Sequence, residues 1–292
     1  MVSAARRLVR SLVGALVVLL LPAAHAEYSV IDTSSGVFSC VLWVHLGKAA
    51  GGSVRHFLQA NGVYAGLLNG VARRCSRKAR SARGKLVFYE VHVTKVHATW
   101  LRNMDAVVVS LRDPVARLVS AFNWRHLDGG GHVLRPESTL ALEQQLYSCY
   151  PHVEDFAQAV IHNATLHPRS HCARVMENAL HPPEELPKHH LSMGLDFYIG
   201  DLLRSGELAK IPIYALRSEN LAADLVSMST SLGLRLRTRE TGVTKSGYPR
   251  KHDALSGQTA ALLRQSKALQ EEYDIYNALL NIAINKPQAR AP

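Results

Sequence analysis

Residues 37–53 read Val37-Phe38-Ser39-Cys40-Val41-Leu42-Trp43-Val44-His45-Leu46-Gly47-Lys48-Ala49-Ala50-Gly51-Gly52-Ser53. The first eight are apolar and β-branched enough to predict a buried strand, and residues 53–58 have the pattern of a helix start. Glycines between them let the backbone bend and bring its NH groups close to a ligand. An anion bound there would meet the helix N-terminus and the Lys48 ammonium.

This turn is not a Walker A loop, because Lys48 precedes Gly51 and Gly52 instead of following the last glycine. An ordinary glycine-containing turn with a solvated lysine explains the residues equally well. The first junction by itself therefore leaves two interpretations open.

A second strand-to-helix junction follows at residues 106–120. Residues 106–111 are largely apolar, which is typical of a parallel strand covered on both faces. Arg112 comes at the carboxyl end of this strand, where open α/β sheets bind ligands. Ser120 lies about two turns into the next helix, so its hydroxyl could reach back toward the same anion.

The helix of the second junction begins at Asp113-Pro114, since proline suits the first helical turn. Arg117 and Arg125 follow on what we expect to be its exposed face, and a solvated helix surface explains them without a ligand.

Strands and helices alternate along the chain, and its 292 residues with 47% hydrophobic content suit one α/β core. The sequence predicts an α/β fold of three layers, with a mostly parallel central sheet and helices on both faces. The predicted elements are strand 37–44, helix 53–70, strand 85–91, strand 106–111, helix 114–126, an irregular helical middle, strand 211–216, helix 218–232 and a long helix 256–284.

The two junctions together resemble the PAPS-dependent sulfotransferases. His-Leu-Gly-Lys-x-x-Gly-Gly-Ser after a strand, then Leu-Arg-Asp-Pro-x-x-Arg-x-x-Ser-x-Phe-x-Trp-Arg-His, is most similar to the Golgi carbohydrate enzymes, in particular the heparan-sulfate 6-O-sulfotransferase group. The resemblance is clear over residues 37–126 and returns weakly over 211–252. Residues 128–200 match nothing that we can place. The resemblance implies a P-loop-like sulfotransferase fold.

Roles for individual residues follow from this resemblance. It implies that the first loop holds the 5′-phosphosulfate of PAPS through Lys48, Ala50, Gly51, Gly52 and Ser53. It implies that Arg112 and Ser120 hold the 3′-phosphate, with Lys245 and Arg250 of a late loop as further phosphate contacts. Alanines and glycines stand where the family usually has Thr-Gly-Gly/Ser-Thr, so one hydroxyl contact is missing.

Sulfuryl transfer requires a base that takes the proton of the acceptor hydroxyl, and a group of near-neutral pKa serves best. His92 is the candidate, because it ends the apolar strand before the second junction and the 6-O-sulfotransferases have a catalytic histidine at the corresponding strand end. Alternation along a strand puts Glu90 on the same face, where it would orient the ring or act as the base itself. His97 is the other alternative.

The implied mechanism is an in-line displacement without a covalent enzyme intermediate. His92 activates the hydroxyl, while Lys48 and the loop NH groups stabilise charge on the bridging oxygen. No metal is required, and we expect the histidines at 189 and 190 to be surface residues.

Two other classes of protein remain open. A lumenal nucleotide-dependent kinase would use a similar loop but needs carboxylates for magnesium, for which Asp113 is the only obvious candidate. A catalytically inactive relative would bind an acidic glycan without PAPS.

The N-terminus predicts a secretory protein. Three arginines precede an apolar run at 12–21, and Ala24-His25-Ala26 has the form of a cleavage site. Residues 1–26 are a signal peptide or a signal anchor, which would be the membrane contact, and residues 27–292 are expected as a single lumenal domain in the Golgi or secreted. Asn163 begins a glycosylation sequon.

The four cysteines are even in number, as expected for an oxidising compartment. Cys149 and Cys172 are the expected disulfide, because both lie in the polar, loop-rich middle of the chain. Cys40 lies within the first strand and is expected to be a buried free thiol.

The formal net charge of +11 indicates an acidic partner. Basic residues are densest over 73–85, where they suit either an anionic glycan or a solvated loop. The resemblance implies a glycan acceptor, acidic or neutral, while a protein tyrosine or a small metabolite remains open. Nucleic acid is not expected for a secretory chain.

Overall fold

A computed structural model describes residues 40–68, 86–125, 137–162, 170–184, 190–234 and 254–285. All of them belong to one compact unit, Phe38–Pro292. The predicted leader, the basic segment 73–85, the sequon at Asn163, and both Lys245 and Arg250 lie outside the described residues. None of the helices in the described ranges combines the length and apolar character needed to span a bilayer.

The centre of the fold is a five-stranded sheet in which every neighbouring pair is parallel. The order across the sheet is β2-β3-β1-β4-β5. The strands are β1 Cys40–Val44, β2 Tyr64–Leu67, β3 Val87–Val91, β4 Ala106–Leu111 and β5 Ile213–Arg217. All described strands therefore end at one edge of the sheet, and the predicted three-layer α/β fold with a parallel sheet is confirmed.

The helices flank this sheet or form a helical layer beside it. They are α1 Gly51–Ala60, α2 Ala98–Leu101, α3 Pro114–Arg125, α4 Glu137–Cys149, α5 Val153–His162, α6 His171–Leu180, α7 Asp201–Arg204, α8 Leu221–Ser231, α9 Gly257–Arg264 and α10 Lys267–Ile282. A π-helical turn at Asp196–Gly200 runs directly into α7. Short 3-10 turns lie at Leu208–Lys210 and Ser218–Asn220.

Alternating side chains of the strands divide the core between the two faces of the sheet. Trp43, Phe88 and Tyr214 face α1 and α8. Leu42 and Val107 face the opposite layer, which contains the π-helical turn, α7 and α10. A third apolar cluster joins α3, α4, α5 and α6, with α9 and the start of α10 packed against it.

Two predicted helices differ from the structure. The helix expected over 53–70 ends at Ala60, and β2 follows it at the edge of the sheet. Asn61 caps the helix through its side-chain amide on the Phe57 oxygen, and Gly62 takes φ +66°, which reverses the chain. The helix expected over 256–284 is two helices, interrupted between Arg264 and Lys267.

The cysteine predictions had different outcomes. Cys149 at the end of α4 is bonded to Cys172 at the start of α6, as expected. Cys40 is also disulfide-bonded, so the prediction of a free thiol was wrong. Its partner lies outside the described residues. A buried position in a strand predicts low exposure but does not exclude a disulfide at the strand's first residue.

Candidate functional site

The loop between β1 and α1 has an alternating backbone. Lys48 takes φ +70° and Ala50 takes φ +57°, whereas Ala49 between them keeps an ordinary negative φ. Alternation of left- and right-handed residues curves the chain into a concavity lined by NH groups, which favours anions. Non-glycine residues at positive φ are strained, and such strain is common at functional sites. We call this loop the anion cradle after the ligand that the sequence predicts for it; its left-handed residues are not its glycines.

The glycines of this loop make room for histidine rings. A Cβ on Gly51 would lie 1.6 Å from Nε2 of His45, and one on Gly47 would lie 2.4 Å from Nδ1 of His190. A Cβ on Gly52 would meet no atom within 4 Å. The backbone therefore needs glycine at 47 and 51 because rings approach it closely, and not because φ is positive there.

Helix α1 begins directly in the cradle. Ala50 is its N-cap residue and makes no side-chain cap. Within the described ranges, the NH groups of Gly51 and Gly52 have no backbone acceptor. Ser53, in the same first turn, is buried, and its NH donates to the Ala50 oxygen at 3.0 Å. Two amide donors and the positive end of the helix dipole thus meet where the sequence predicts an anion.

Glu90 is a fully buried carboxylate beneath this loop, with 0% of its surface exposed. His45 Nδ1 donates to its Oε1 at 2.5 Å, Arg55 binds both of its oxygens, and Tyr64 donates to Oε2 at 2.6 Å. Burial by itself would raise the pKa of Glu90, but the hydrogen bonds from these donors outweigh it and lower that pKa to about 2. Glu90 is therefore ionised and its oxygens are engaged, which suits an orienting role better than that of a base.

Glu90 orients His45 and not His92, contrary to the predicted pairing. The β1–β3 register aligns Trp43 with Glu90, so the residue two positions after Trp43 projects toward the carboxylate. His45 is also stacked on Trp43, with ring centroids 5.1 Å apart. Strand β3 ends at Val91, so the strand alternation that places Glu90 does not extend to His92.

His92 lies directly above this pair. Its Nδ1 is 3.0 Å from the backbone oxygen of His45, and the two rings stack with centroids 4.2 Å apart. A carbonyl oxygen only accepts, so the proton of neutral His92 is on Nδ1 and Nε2 keeps its lone pair. Burial, aided by the charge of His45, lowers the pKa of His92 below 6.5. A neutral imidazole with a basic Nε2 is the form that a general base requires.

The second junction meets the first at the same edge of the sheet. Arg112 Nη1 donates to the backbone oxygen of Lys48 at 3.0 Å. Lys48 Nζ lies 3.8 Å from the centroid of the Trp124 ring of α3. Ser120 lies one turn before Trp124 on the same face of α3, because residues four apart are neighbours on a helix. Within the described ranges, Arg112 makes no ion pair with a carboxylate.

Arg117 of the same helix is buried, with 3% exposure, so its predicted position on the exposed face was wrong. Its Nη1 donates to the His190 oxygen at 2.8 Å, and Nη2 lies 3.9 Å from Glu272 of α10. Nη1 of this buried arginine is engaged by backbone oxygens of a segment distant in sequence, and helical periodicity cannot reveal such partners.

Asp113 serves as a cap of α3. Its Oδ1 accepts from the Ala116 NH and its Oδ2 from the Tyr273 hydroxyl, both at 2.9 Å.

His97, the alternative base, is exposed and its ring is 5.0 Å from that of Trp100. Within the part of the chain that is described, no group of three or more His, Cys, Asp or Glu side chains is arranged to hold a metal ion.

Several residues of the site were not predicted as such. His190 was expected at the surface, yet its ring is half-buried, against Gly47 and 5.8 Å from that of His92. Arg55 and Tyr64 reach Glu90 from α1 and β2. Tyr64 was missed because the sequence predicted a helix where β2 lies. A buried Glu within an apolar strand was the one signal in the sequence that such partners must exist.

No protein-family model matches the chain, and no curated protein sequence shows significant similarity to it.

Proposed function

We propose that this protein is a PAPS-dependent sulfotransferase that transfers a sulfuryl group to a carbohydrate hydroxyl. The observation that carries the proposal is the hydrogen bond between Arg112 and the Lys48 oxygen. It makes the two junctions parts of one site, as a donor with phosphate groups at both ends requires. His92, with a basic Nε2, lies at the same edge.

The residues that would hold PAPS offer hydrogen-bond donors and positive charge, which suit the negative charge at both of its ends. The curved backbone at Lys48–Ala50 and the NH groups of Gly51 and Gly52 suit the 5′-phosphosulfate, and Arg112 suits the 3′-phosphate. The hydroxyl absent from the loop is offset by these backbone donors. When bound, PAPS supplies the activated sulfuryl group.

The chain's own groups would supply a base and positive charge. Nε2 of His92 takes the proton of the acceptor hydroxyl. Lys48 and the amide donors of α1 stabilise the negative charge that develops on the leaving side. Glu90 acts indirectly, since it holds His45, whose backbone oxygen fixes the tautomer of His92.

The test is transfer of labelled sulfate from PAPS by the purified full chain to a panel of polysaccharides, together with binding of PAP. We expect transfer to at least one glycan, with Lys48→Ala and His92→Ala each reducing it at least 100-fold. Lys210→Ala is the matched control, because this lysine is exposed and forms a surface ion pair with Glu207.

The same assay distinguishes the other classes of protein. Transfer of labelled phosphate from ATP in place of sulfate would replace the proposal with a kinase. Glycan binding that needs no PAPS and is unchanged by Lys48→Ala and His92→Ala would indicate a catalytically inactive glycan-binding protein.

A further inference from the structure

Tyr198 contacts residues that lie about 100 positions earlier in the chain, and the sequence did not predict these contacts. It is in the π-helical turn Asp196–Gly200, within the stretch that resembles no known motif, and its side chain is only 1% exposed. Single π-helical turns are rare and frequently occur at functional sites. The contacts of the buried phenol are therefore of functional interest.

The contacts of Tyr198 fix the segment that follows His92. The Val93 NH donates to the Tyr198 hydroxyl at 3.4 Å, and the Val96 NH donates to the Tyr198 backbone oxygen at 3.0 Å. One residue therefore holds the chain at two points within four residues of the base.

Val93 is itself in an unfavourable conformation. It has φ +58°, which a β-branched residue rarely adopts, and its side chain is 58% exposed. No apolar burial of the valine side chain compensates for this strain. A strained residue persists only where its surroundings fix it, and the described contact that does so is the one to Tyr198.

Side chains of α3 and α10 hold the π-helical turn that carries Tyr198 in place. Glu272 accepts from the NH groups of Leu195 and Asp196 at 2.9 and 3.2 Å. Arg117 donates to the Met193 oxygen at 3.5 Å. A Cβ on Gly194 would lie 2.0 Å from Glu272, so the turn cannot move toward α10. The phenol is thus presented by a rigid support.

We infer that Tyr198 is a positioning residue for the proposed reaction: its hydroxyl accepts from the Val93 NH and so holds the segment that follows His92 in place. The inference rests on the proposed function, because it assigns His92 as the base. Tyr198 does not touch the reacting atoms. Burial raises its pKa to about 12, so the phenol stays neutral and accepts hydrogen bonds at every working pH.

The first test is the Tyr198→Phe variant, which keeps the ring and removes only the hydroxyl. We expect kcat to fall about 10- to 100-fold while KM for the acceptor changes less than threefold, because misplacing a catalytic group affects the chemical step. Tyr214→Phe is the matched control. Tyr214 is equally buried, lies on β5, and its hydroxyl has no described hydrogen-bond partner.

The second test does not depend on activity. Titration of the His92 ring by NMR should show its pKa rising toward 6.5 in Tyr198→Phe, because the released segment exposes the ring to water. The groups that act on this ring, His45, Glu90, Arg55 and His190, are unchanged by the substitution. An unchanged titration together with kcat within twofold of the wild type would overturn the inference.

If Tyr198→Phe does not fold, hydrogen exchange of the wild-type chain tests whether the Val93 NH is held by Tyr198. We expect the Val93 amide to exchange at least 10-fold more slowly than the amides of Thr94 and Lys95, for which no acceptor is described. Equal exchange at the three positions would refute the inference. If the wild type transfers no sulfate, the proposed function fails, whereas the titration and exchange results still judge the role of Tyr198.

Discussion

Arg112 and Lys48 are 64 residues apart in the chain, yet the guanidinium of the first donates to the backbone oxygen of the second at 3.0 Å. The contact arises because β1 and β4 are parallel neighbours, with Leu42 aligned to Val107. Residues that follow the two strands therefore meet at one edge of the sheet. One anionic ligand can contact both junctions.

Replacement of Arg112 tests this shared site. Arg112→Ala removes a cation and a support of the cradle, so we expect PAP to bind at least 10-fold more weakly, as measured by calorimetry. The control is Arg102→Ala, whose side chain is exposed beyond α2. Equal affinities of the two variants would show that Arg112 does not belong to the proposed nucleotide site.

Gly51 and Gly52 should respond oppositely to alanine. Gly51→Ala places a Cβ 1.6 Å from His45 Nε2, so the ring must shift, and we expect a loss of about 1–3 kcal/mol in the free energy of unfolding. Gly52→Ala meets open space in the first turn of α1 and should be neutral or slightly stabilising. Urea denaturation measures both. Equal destabilisation would mean that the His45 ring is not packed against this turn.

The pH dependence of kcat tests the proposed role of His92 as the base. Its pKa is lowered by burial, so the ring is neutral near pH 7 and gains its proton only below 6.5. We expect activity to be constant through neutral pH and to fall at acid pH with a midpoint below 6.5. His92→Ala should remove this acid limb from the residual activity. A midpoint above 6.5 would argue for another base.

Glu90 should contribute stability that depends on pH. Its folded pKa is about 2, below the ordinary 4.5, so the contribution is complete above 4.5 and is lost as pH falls from 4.5 toward 2. At pH 7, Glu90→Gln leaves His45 and Arg55 without their anion, and we expect a loss of about 3 kcal/mol in unfolding free energy. Glu207→Gln, at a surface ion pair, should cost less than about 1 kcal/mol. Similar losses in both variants would contradict a special role for the buried carboxylate.

The Cys149–Cys172 disulfide joins α4 to α6 across a sequence separation of 23 residues. The chain-entropy treatment of a loop of this length gives about 3 kcal/mol. Replacing both cysteines by serine should therefore lower the midpoint of chemical denaturation by that equivalent, with the fold retained. An unchanged midpoint would show that the helical layer does not depend on this bond.

Local sequence patterns pointed to some residues of the candidate site and could not point to the others. Lys48, Arg112 and His92 were identified from strand ends, because a parallel sheet necessarily brings such ends to one edge. Tyr198 and His190 were not, since they come from a segment without periodic or motif signals. Arg117 was misplaced because its hydrogen-bond acceptors are backbone oxygens, which carry no sequence signature.

The sequence by itself determined the layered α/β fold and the two junctions, because apolar strands, glycine turns and helix starts are local properties of the chain. Only the tertiary structure decided that Glu90 binds His45, that Cys40 is disulfide-bonded, and that β2 extends the sheet. These facts depend on which strands are neighbours and on what approaches each side chain from distant segments. Such choices minimise buried, unpaired polar groups over the whole molecule, so no local stretch of residues contains them.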